Sequence, residues 1–359
     1  MTKRIAIVGG GNLGAELAKS LENTADVTLI EQQSHFVQAP AMIRAVVDPS
    51  ILDSALVPYK GLLSKGKFVN ARATGVDAKG VTLEDGSRIE ADYIVVATGS
   101  SNATPFKPTS TGIEGLRADN ARIHTMLAQA KTVAIVGAGA VGTELAGEIA
   151  HFMPEKHVTL ISNEDRLFPT MPNKLGNGLL SKLKAAGVSV ITGARAENLE
   201  SMTQPYAGTL KLSNGDEINA DLIFPVIGSR ATSELLESLP DVQKSTSNRI
   251  KTDAWMRPSS LPNVFAAGDV ADAGDAMTIV ASSRQQPWLT KLLTSLVNGG
   301  KVEDAKPYKP WGKAPILVPL GPNKGNSFLV LFTAGNFLTS RIKGKDLFRS
   351  KYNKLFNRT

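Results

Sequence analysis

The chain has 359 residues, of which 42% are hydrophobic and 20% charged, and these values are typical of a soluble globular protein with two or three domains. It contains no cysteine, which excludes disulfides, thiolate metal sites, iron–sulfur clusters and a redox-active Cys-x-x-Cys. The formal net charge of +7 is concentrated near the C-terminus, so it characterises a tail and not the whole fold.

The N-terminal residues predict that the protein is neither secreted nor myristoylated. Met1-Thr2-Lys3-Arg4 leads directly into an apolar segment with no small-residue cleavage site, which argues against a signal peptide. N-myristoylation requires a glycine after the initiator methionine, and Thr2 stands there instead. No stretch contains the roughly 18 apolar residues that a membrane-spanning helix needs. We therefore expect a cytoplasmic protein, with peripheral attachment to a membrane or lipid-droplet surface left open.

The first predicted elements are a strand, a glycine-rich turn, a helix and a second strand. Residues 3–8 are mostly apolar and run into the spacing G-x-G-x-x-G, and a helical pattern continues to Leu21. Residues 27–31 predict a second strand that ends in Glu31, 22 residues after Gly9. This order is typical of a dinucleotide site, in which a helix N-terminus binds the pyrophosphate and the acid binds the adenosine ribose. The residues predicted to form this phosphate cradle are Gly9, Gly10, Gly11, Asn12, Leu13 and Gly14.

A further buried strand follows a hairpin signal at residues 83–86. Residues 91–96 are mainly apolar, as expected of a strand buried in a parallel sheet. The strand ends in small residues that we include among the candidate cofactor-binding residues, Ala97, Thr98 and Gly99.

The same phosphate-binding device recurs in the middle of the chain. Residues 132–148 again predict a strand, a glycine turn and a helix, with Gly137, Gly139 and Gly142 at the phosphate-binding positions. Residues 158–161 predict the second strand of this copy. Gly137 lies 128 residues after Gly9, and two such fingerprints predict that one chain binds two dinucleotides.

The second copy differs at the position that selects between NADH and NADPH. Ser162 follows its second strand where the first copy has Glu31. An acid at this position binds the ribose 2′-hydroxyl and repels a 2′-phosphate, so Ser162 leaves the site open to NADPH. Glu164 and Asp165 lie close enough to weaken this argument. Arg166 is a candidate partner for a 2′-phosphate, and a solvated surface arginine is an equal alternative.

The second half of the chain repeats the first beyond the fingerprints. A hairpin signal at residues 212–215 precedes a buried-strand pattern that ends in Gly228. Residues 263–267 then predict a short apolar strand that places Gly268 and Asp269 at the mouth of a further helix. We therefore add Gly228, Gly268 and Asp269 to the candidate cofactor-binding residues.

The last 24 residues carry nearly all of the surplus positive charge. Residues 336–359 contain seven Lys or Arg against one acid, a surplus of +6, interleaved with large apolar side chains. One interpretation is that this segment packs on the body of the protein. The other is that it binds an anionic membrane surface, where each basic side chain contributes on the order of 1 kcal/mol. Nucleic acid is not an expected partner, because no recognition module is visible.

These motifs together resemble a known superfamily. The paired fingerprints, residues 97–99 and Ala267-Gly268-Asp269 resemble the two-dinucleotide-binding flavoproteins along essentially the whole chain. Arg44 with the following Ala-Val-Val, Tyr308-Lys-Pro and residues 319–325 and 345–348 resemble the apoptosis-inducing-factor-like group, which includes the ferroptosis suppressor proteins, NAD(P)H:quinone oxidoreductases. The disulfide-reductase branch differs, since it has a cysteine pair after the first helix.

The resemblance implies FAD in the first cradle and NAD(P)H in the second. It implies that the FAD pyrophosphate lies on residues 9–14 and that Arg44 lies near the FAD phosphates or the isoalloxazine. It further implies that the backbone of Ala73 contacts the adenine and that Asp269 contacts the ribityl chain.

Two glutamates on the helix after the second fingerprint are the candidate catalytic residues. Enzymes similar to this one place a carboxylate near the nicotinamide, where Glu144 or Glu148 would orient the ring or relay a proton. A solvated acid favoured by the helix dipole is an equal alternative for each glutamate taken singly.

The repeated halves predict an α/β fold with two Rossmann-like dinucleotide-binding domains in a glutathione-reductase-like arrangement, plus a small C-terminal α+β unit. Residues 1–118 and 245–305 form the two parts of the FAD-binding domain, and residues 119–244 form the NAD(P)-binding domain. Residues 306–359 form the C-terminal unit with the basic tail, in which the apolar run at residues 328–332 predicts a strand of a short hairpin.

The predicted function is that of an FAD-dependent oxidoreductase which takes hydride from NAD(P)H and passes electrons to a diffusible acceptor. The cofactors carry the chemistry and the protein positions them. The resemblance makes a ubiquinone-like quinone the expected acceptor. Two alternatives stay open, namely a redox-state-sensing interaction protein with slow turnover and a reductase of a small electron-carrier protein. The four scattered histidines predict no metal site, and the oligomeric state is open.

Overall fold

A computed structural model describes residues 2–108 and 112–358 of the chain. Strands and helices alternate over much of this length, as the repeated fingerprints predict. The strands are, in chain order, β1 (Arg4–Val8), β2 (Asp26–Glu31), β3 (His35–Val37), β4 (Leu56–Pro58), β5 (Lys67–Asn70), β6 (Ala73–Asp77), β7 (Gly80–Leu83), β8 (Arg88–Glu90), β9 (Tyr93–Val96), β10 (Ser100–Ser101), β11 (Thr132–Val136), β12 (His157–Ile161), β13 (Ser189–Ile191), β14 (Tyr206–Lys211), β15 (Glu217–Pro225), β16 (Arg230–Ala231), β17 (Ile250–Lys251), β18 (Val264–Ala266), β19 (Ala271–Asp272), β20 (Ile316–Leu320), β21 (Lys324–Phe328) and β22 (Thr333–Ala334). The α-helices are α1 (Asn12–Leu21), α2 (Ala39–Ala45), α3 (Leu52–Ala55), α4 (Ile113–Gln129), α5 (Ala140–Phe152), α6 (Asn173–Ala185), α7 (Ile279–Val297), α8 (Asn336–Thr339) and α9 (Arg349–Leu355).

The first sheet has the strand order β18-β9-β1-β2-β5, and all its strands are parallel. Alternate side chains of β1 face opposite layers, because a strand has a period of two. Ile5 and Ile7 pack with α1 and α7, while Ala6 and Val8 pack with the antiparallel hairpin that begins at β6. Since parallel strands all end at one edge, the turn after β1 and the residues after β18 meet at the same edge.

The second sheet has the order β13-β12-β11-β15-β14, in which only β14 is antiparallel to its neighbour. Its β11–α5–β12 unit repeats the β1–α1–β2 unit of the first sheet. The turn between β14 and β15 contains residues 212–215, where the sequence predicts a hairpin. Strands β10 and β16 pair with each other and join the segments that link the two sheets.

The C-terminal unit is an antiparallel sheet, β20-β21-β22, that packs on α5 with short helices around it. The contact is close at Gly147, where an added Cβ would lie 2.5 Å from Cα of Leu320. The predicted strand at residues 328–332 is wrong beyond Phe328, because residues 329–332 form the hairpin loop. Val330 has a φ of +69°, which ends the strand even though the residues are apolar.

The tail packs on the first sheet's side of the molecule. Tyr352 and Phe356 are buried, and their rings lie 4.7 Å and 5.3 Å from the ring of Phe36, centroid to centroid. Lys351 pairs with Glu16 on α1 at 2.7 Å. The interpretation that the tail packs on the body is therefore correct for this part of it.

The predicted fold class, two Rossmann-like halves with a small C-terminal α+β unit, is confirmed. The division into residues 1–118 and 245–305, 119–244 and 306–359 stays our proposed domain assignment. Among the described residues, no helix has both the length and the apolar character needed to cross a membrane.

Candidate cofactor and active site

The turn between β1 and α1 forms an open cradle that requires glycine. Gly9 has a φ of +101°, and a Cβ added to it would lie 2.3 Å from the carbonyl oxygen of Ala97. A Cβ on Gly14 would lie 1.9 Å from the carbonyl oxygen of Gly9. A Cβ on Gly11 would meet no atom within 4 Å, so space is open on this side of the turn. α1 begins at Asn12 directly after this opening, where a helix N-terminus offers free N–H groups to a pyrophosphate.

The side chains of Tyr59 and Leu13 hold this cradle in place. The hydroxyl of Tyr59 donates to the carbonyl oxygen of Gly10 at 2.6 Å. Leu13 is buried, and its side chain lies about 3.9 Å from where a Cβ on Gly268 would be. The sequence-predicted residues of the first cradle and Gly268 therefore lie together at one edge of the first sheet.

Glu31 lies at the end of β2 beside the cradle. Its carboxylate accepts hydrogen bonds from the N–H groups of Gly10 at 2.7 Å and Gln33 at 2.8 Å. Burial raises the pKa of Glu31, and these hydrogen bonds oppose the shift. The carboxylate lines a cleft of about 330 Å³, together with Ala73 and Thr98. The cleft has the acid and the backbone that an adenosine ribose and adenine require.

Asp269 lies in a short 3-10 helix, Gly268–Val270, after β18. Its carboxylate accepts from the hydroxyl of Ser100 at 2.6 Å and lies 3.6 Å from Nζ of Lys107. Lys107 also donates to the carbonyl oxygen and the hydroxyl of Ser100, each at 2.7 Å. Burial lowers the pKa of Lys107, and Asp269 opposes this shift. No motif marks Lys107 in the sequence, and the one available signal is its position eight residues after the candidate residue Gly99.

A buried polar network fixes the Gly268 turn from behind. The side chain of Gln285 on α7 accepts from the N–H of Gly268 at 2.8 Å and donates to Asp275 at 3.0 Å. The hydroxyl of Tyr308 donates to the same Asp275 carboxylate, and the motif Tyr308-Lys-Pro thus reaches the cofactor site. Burial raises the pKa of Tyr308, with the Asp275 hydrogen bond adding to the shift.

The second cradle repeats the first closely. Gly137 has a φ of +111°, and its added Cβ would lie 2.2 Å from the carbonyl oxygen of Val226. A Cβ on Gly142 would lie 1.9 Å from the carbonyl oxygen of Gly137, whereas one on Gly139 would meet nothing within 4 Å. Gly228 follows β15 with a φ of +73° and similarly open space. This turn therefore has the same shape and the same opening before a helix N-terminus, that of α5.

Ser162 and Arg166 lie beyond the end of β12. Ser162 is buried, and its hydroxyl accepts from the N–H of Glu164 at 3.1 Å. The guanidinium of Arg166 donates to the side chain of Asn173 at 2.5 Å and to the carbonyl oxygens of Pro169 and Met171. Arg166 thus holds its own loop together, so the alternative of a freely solvated arginine is wrong, while its pairing with a 2′-phosphate stays a prediction.

The two predicted catalytic glutamates are buried and ion-paired on one face of α5. Glu144 pairs with Lys343 at 2.6 Å. Glu148 accepts two hydrogen bonds from Arg44, at 2.9 Å and 2.8 Å. Arg44 also donates to the carbonyl oxygen of Gly344 at 2.7 Å. The alternative of solvated acids is therefore wrong for both glutamates, which are only 2% and 1% exposed.

This four-charge cluster, Arg44, Glu144, Glu148 and Lys343, joins α2, α5 and the π-helix Ser340–Gly344. Burial raises the pKa of both glutamates, and Lys343 and Arg44 oppose the shift. Because the cluster is out of water, removing one partner would leave an uncompensated charge and cost about 3–5 kcal/mol. Sequence reasoning placed Arg44 beside the FAD and did not find Lys343, which looks like any other basic residue of the tail.

Comparison with known proteins identifies the family. Two family models, both described as pyridine nucleotide-disulphide oxidoreductase, match residues 59–286 and residues 4–53. The chain belongs to the pyridine nucleotide-disulphide oxidoreductase family. The apoptosis-inducing factor homolog A of Dictyostelium discoideum is 30% identical over 99% of this chain and 92% of its own length. The human ferroptosis suppressor protein 1 is 25% identical over 96% of this chain and 94% of its own.

Solved structures of this oxidoreductase fold cover the whole chain as well. The sulfide:quinone oxidoreductase of Aquifex aeolicus has a TM-score of 0.78 at 16% identity and covers 99% of this chain and 92% of its own. The structure of NDH2 from Plasmodium falciparum with NADH has a TM-score of 0.77 at 13% identity, over 100% of this chain and 99% of its own. These likenesses include the C-terminal unit and establish the fold.

Family membership makes this protein an FAD- and NAD(P)H-dependent oxidoreductase, and the predicted cofactors and the predicted resemblance to the apoptosis-inducing-factor-like group are confirmed. The residues present fit both dinucleotides, since each half has an open glycine cradle before a helix N-terminus. The disulfide chemistry in the family's description has no counterpart within this chain, which has no cysteine.

Proposed function

We propose that this oxidoreductase uses NAD(P)H to reduce a quinone, and that the four-charge cluster borders the place where the acceptor is reduced. The observation that carries the proposal is the buried pair of Glu144 and Lys343. It joins the helix of the second cradle to the C-terminal unit, so a group held there is close to both.

We propose that NAD(P)H binds at the second cradle, at the N-terminal end of α5. α5 begins at the phosphate-binding turn, and Glu144 and Glu148 lie four residues apart on one face of it. Arg44 connects this face to α2, in the half that has the first cradle. We therefore propose that these residues lie near the nicotinamide and isoalloxazine rings and orient them.

The charges suit a reaction in which protons accompany electrons. When bound, FAD takes hydride from NAD(P)H and passes two electrons to the acceptor. Reduction of a quinone to a hydroquinone consumes two electrons and two protons, which NAD(P)H and one proton from solvent supply together. We propose that Lys343 Nζ, which donates to Glu144 at 2.6 Å and to the carbonyl oxygen of Leu317 at 3.2 Å, donates its remaining hydrogen bond or a proton to a quinone oxygen.

The surroundings of the cluster favour an aromatic, apolar acceptor. Ile43, Val318 and Leu320 are buried in the same hydrophobic cluster as the apolar side of α5. A polar acceptor such as a sugar or an amino acid would lack hydrogen-bond partners among these side chains. The likeness over 99% of the chain to a protein described as a sulfide:quinone oxidoreductase adds support.

The test is a steady-state assay with a water-soluble short-chain quinone. We expect turnover on the order of 1–10³ per second with NADH or NADPH for the wild-type protein. Lys343→Met should lower kcat by about 10²-fold or more while FAD remains bound, because a proton donor is lost. The matched control is Lys354→Met, which removes an exposed lysine of the same tail and should leave turnover unchanged.

Other outcomes distinguish the alternatives. Tight NAD(P)H binding with turnover far below one per second for every quinone would favour the redox-sensing interaction protein. Rapid turnover with a small carrier protein and none with quinones would favour the carrier reductase. Equal turnover of Lys343→Met and Lys354→Met would remove Lys343 from the reaction.

A further inference from the structure

The C-terminal unit exposes large apolar side chains at one end. In the hairpin loop between β21 and β22, Leu331 is 91% exposed and Phe332 is 53% exposed. Phe337 on α8 is 73% exposed, and Ile342 on the π-helix Ser340–Gly344 is also exposed. These side chains lie within twelve residues of chain, with Val330 beside them, and we call Val330, Leu331, Phe332, Phe337 and Ile342 the apolar tip.

The backbone of the hairpin loop is strained at Val330. Val330 is β-branched and adopts a φ of +69°, a conformation that such residues rarely take because of steric conflict with the backbone. The loop satisfies part of its own backbone, since the N–H of Leu329 donates to the carbonyl oxygen of Phe332 at 2.9 Å. A loop closed in this way can enter an apolar medium at lower cost than an open one.

Basic side chains accompany the apolar tip. Arg341 lies one helical turn after Phe337, on the same face, and Lys345 follows. Both are exposed, and within residues 2–108 and 112–358 neither forms an ion pair. By contrast, Lys343 is paired inside the protein and Lys351 is paired with Glu16. Unpaired cations beside exposed aromatic and aliphatic groups complement the anionic headgroups and acyl chains of a lipid surface.

We propose that the apolar tip, with Arg341 and Lys345, docks this protein on an anionic lipid bilayer. The contact surface is thus the hairpin loop and the first half of the segment 336–359, and not the terminal helix α9, whose Tyr352 packs inside. This docking proposal rests on the proposed quinone reduction and deepens it, because it names the bilayer as the source of the quinone. The π-helix Ser340–Gly344 has Ile342 on the exposed side and Lys343 against Glu144, so a lipid-dissolved quinone would reach the four-charge cluster directly from the bilayer.

The experiment is cosedimentation of the FAD-loaded full chain with phosphatidylcholine vesicles, with and without phosphatidylserine, in the absence of NAD(P)H. We expect binding to the phosphatidylserine vesicles and about tenfold or greater weakening in the double variant Leu331→Ser/Phe332→Ser, since two large apolar side chains leave the bilayer. Met202→Ser, which removes an exposed apolar side chain from the segment between β13 and β14, is the matched control and should bind as wild type does.

A second pair of variants separates the tip from the tail. Arg341→Gln/Lys345→Gln should weaken binding to phosphatidylserine vesicles, and Lys354→Gln/Arg358→Gln should not. The proposal is overturned if the hairpin variant binds as tightly as wild type, or if the tail variant alone loses binding. It is also overturned if sedimentation shows a wild-type dimer that Leu331→Ser/Phe332→Ser dissociates, because a second copy then covers the tip.

The same variants keep this proposal apart from the proposed function. Each should retain its bound flavin, its unfolding temperature and its turnover with a water-soluble quinone, because the changed side chains are exposed and outside the four-charge cluster. Vesicle binding without quinone reduction by the wild type would reject the quinone proposal and leave the docking surface standing. Quinone reduction without vesicle binding would reject the docking surface and leave the quinone proposal standing.

Discussion

Arg44 and Glu148 each depend on the other for compensation of a buried charge. Their side chains are 5% and 2% exposed, and two hydrogen bonds join them. Continuum and mutational arguments agree that breaking such a pair is costly, whereas replacing both partners by apolar groups of similar volume is often nearly neutral. The pair therefore contributes to stability very differently from a surface pair such as Lys211 and Glu217.

Glu148→Ala should lower the free energy of unfolding by about 3–5 kcal/mol, because Arg44 is left buried without a counter-charge. The double variant Arg44→Met/Glu148→Leu should recover much of this loss. Thermal unfolding of the wild type, Arg44→Met, Glu148→Leu and the double variant measures the coupling. Glu217→Ala is the surface control, and a loss at Glu148 no larger than at Glu217 would show that the pair is not buried in solution.

Acidification should weaken FAD binding through Glu31. Burial raises the pKa of this carboxyl above the ordinary 4.5, so it takes up a proton at a higher pH than an exposed glutamate does. The protonated form is a poorer acceptor for ribose hydroxyls, so the dissociation constant of FAD should rise, by up to about tenfold per pH unit below that pKa. Flavin titrations of deflavinated protein between neutral and acidic pH provide the measurement. Glu31→Gln should bind FAD weakly with a flat profile, and an unchanged profile in that variant would assign the titration to another group.

NADPH should be accepted with less than about tenfold discrimination against it, since Ser162 cannot repel a 2′-phosphate. Ser162→Glu should shift the preference toward NADH. The ratio of kcat/KM for the two nicotinamides gives the answer directly. A wild-type preference for NADH of about a hundredfold or more would mean that Glu164 or another group selects the cofactor.

At the scale of elements, α9 connects the C-terminal tail to the first cradle. The ring of Phe356, next to α9, lies 5.8 Å from that of Tyr59, and the hydroxyl of Tyr59 holds the carbonyl oxygen of Gly10. The ring of Phe36 lies 5.3 Å from that of Phe356, centroid to centroid. The last residues of the chain therefore support the loop on which the FAD pyrophosphate is expected to lie.

Phe356→Ala should destabilise the fold by about 3–5 kcal/mol and increase the loss of FAD, because a buried aromatic ring leaves a cavity beside Tyr59. Thermal unfolding and flavin content after gel filtration are the two measurements. Lys354→Ala, an exposed change on α9 two residues before Phe356, is the control. Full flavin retention by a destabilised Phe356→Ala variant would show that α9 stabilises the fold without supporting the cradle.

The elements that the sequence predicts well are those with local signals. The glycine spacings, the strand-end acid at Glu31 and the hairpin at residues 212–215 are all determined by neighbouring residues. The run at residues 328–332 was predicted wrongly because apolar content alone indicates a buried strand, whereas the chain turns at Val330 and exposes Leu331. Whether a residue is buried depends on the rest of the molecule, so a short stretch of sequence does not determine it.

At the scale of the whole molecule, the sequence predicts the two dinucleotide-binding halves but not the cluster that joins them. Arg44 and Glu148 are 104 residues apart and Glu144 and Lys343 are 199 residues apart, so no local pattern relates them. Their meeting requires that the C-terminal unit fold back onto α5, as the close contact at Gly147 shows. The sequence indicates Glu144 and Glu148 as candidate catalytic residues, and this role stays a prediction; their partners are apparent only in three dimensions.

The central claim is that electrons pass from NAD(P)H through bound FAD to a quinone, and anaerobic sequential-mixing stopped-flow measures it most directly. NADH or NADPH should first bleach the visible absorbance of the bound flavin. A ubiquinone analogue added next should restore the absorbance at least as fast as steady-state turnover, and should do so much more slowly in Lys343→Met. Absorbance that returns only when oxygen or a carrier protein is admitted would contradict the account.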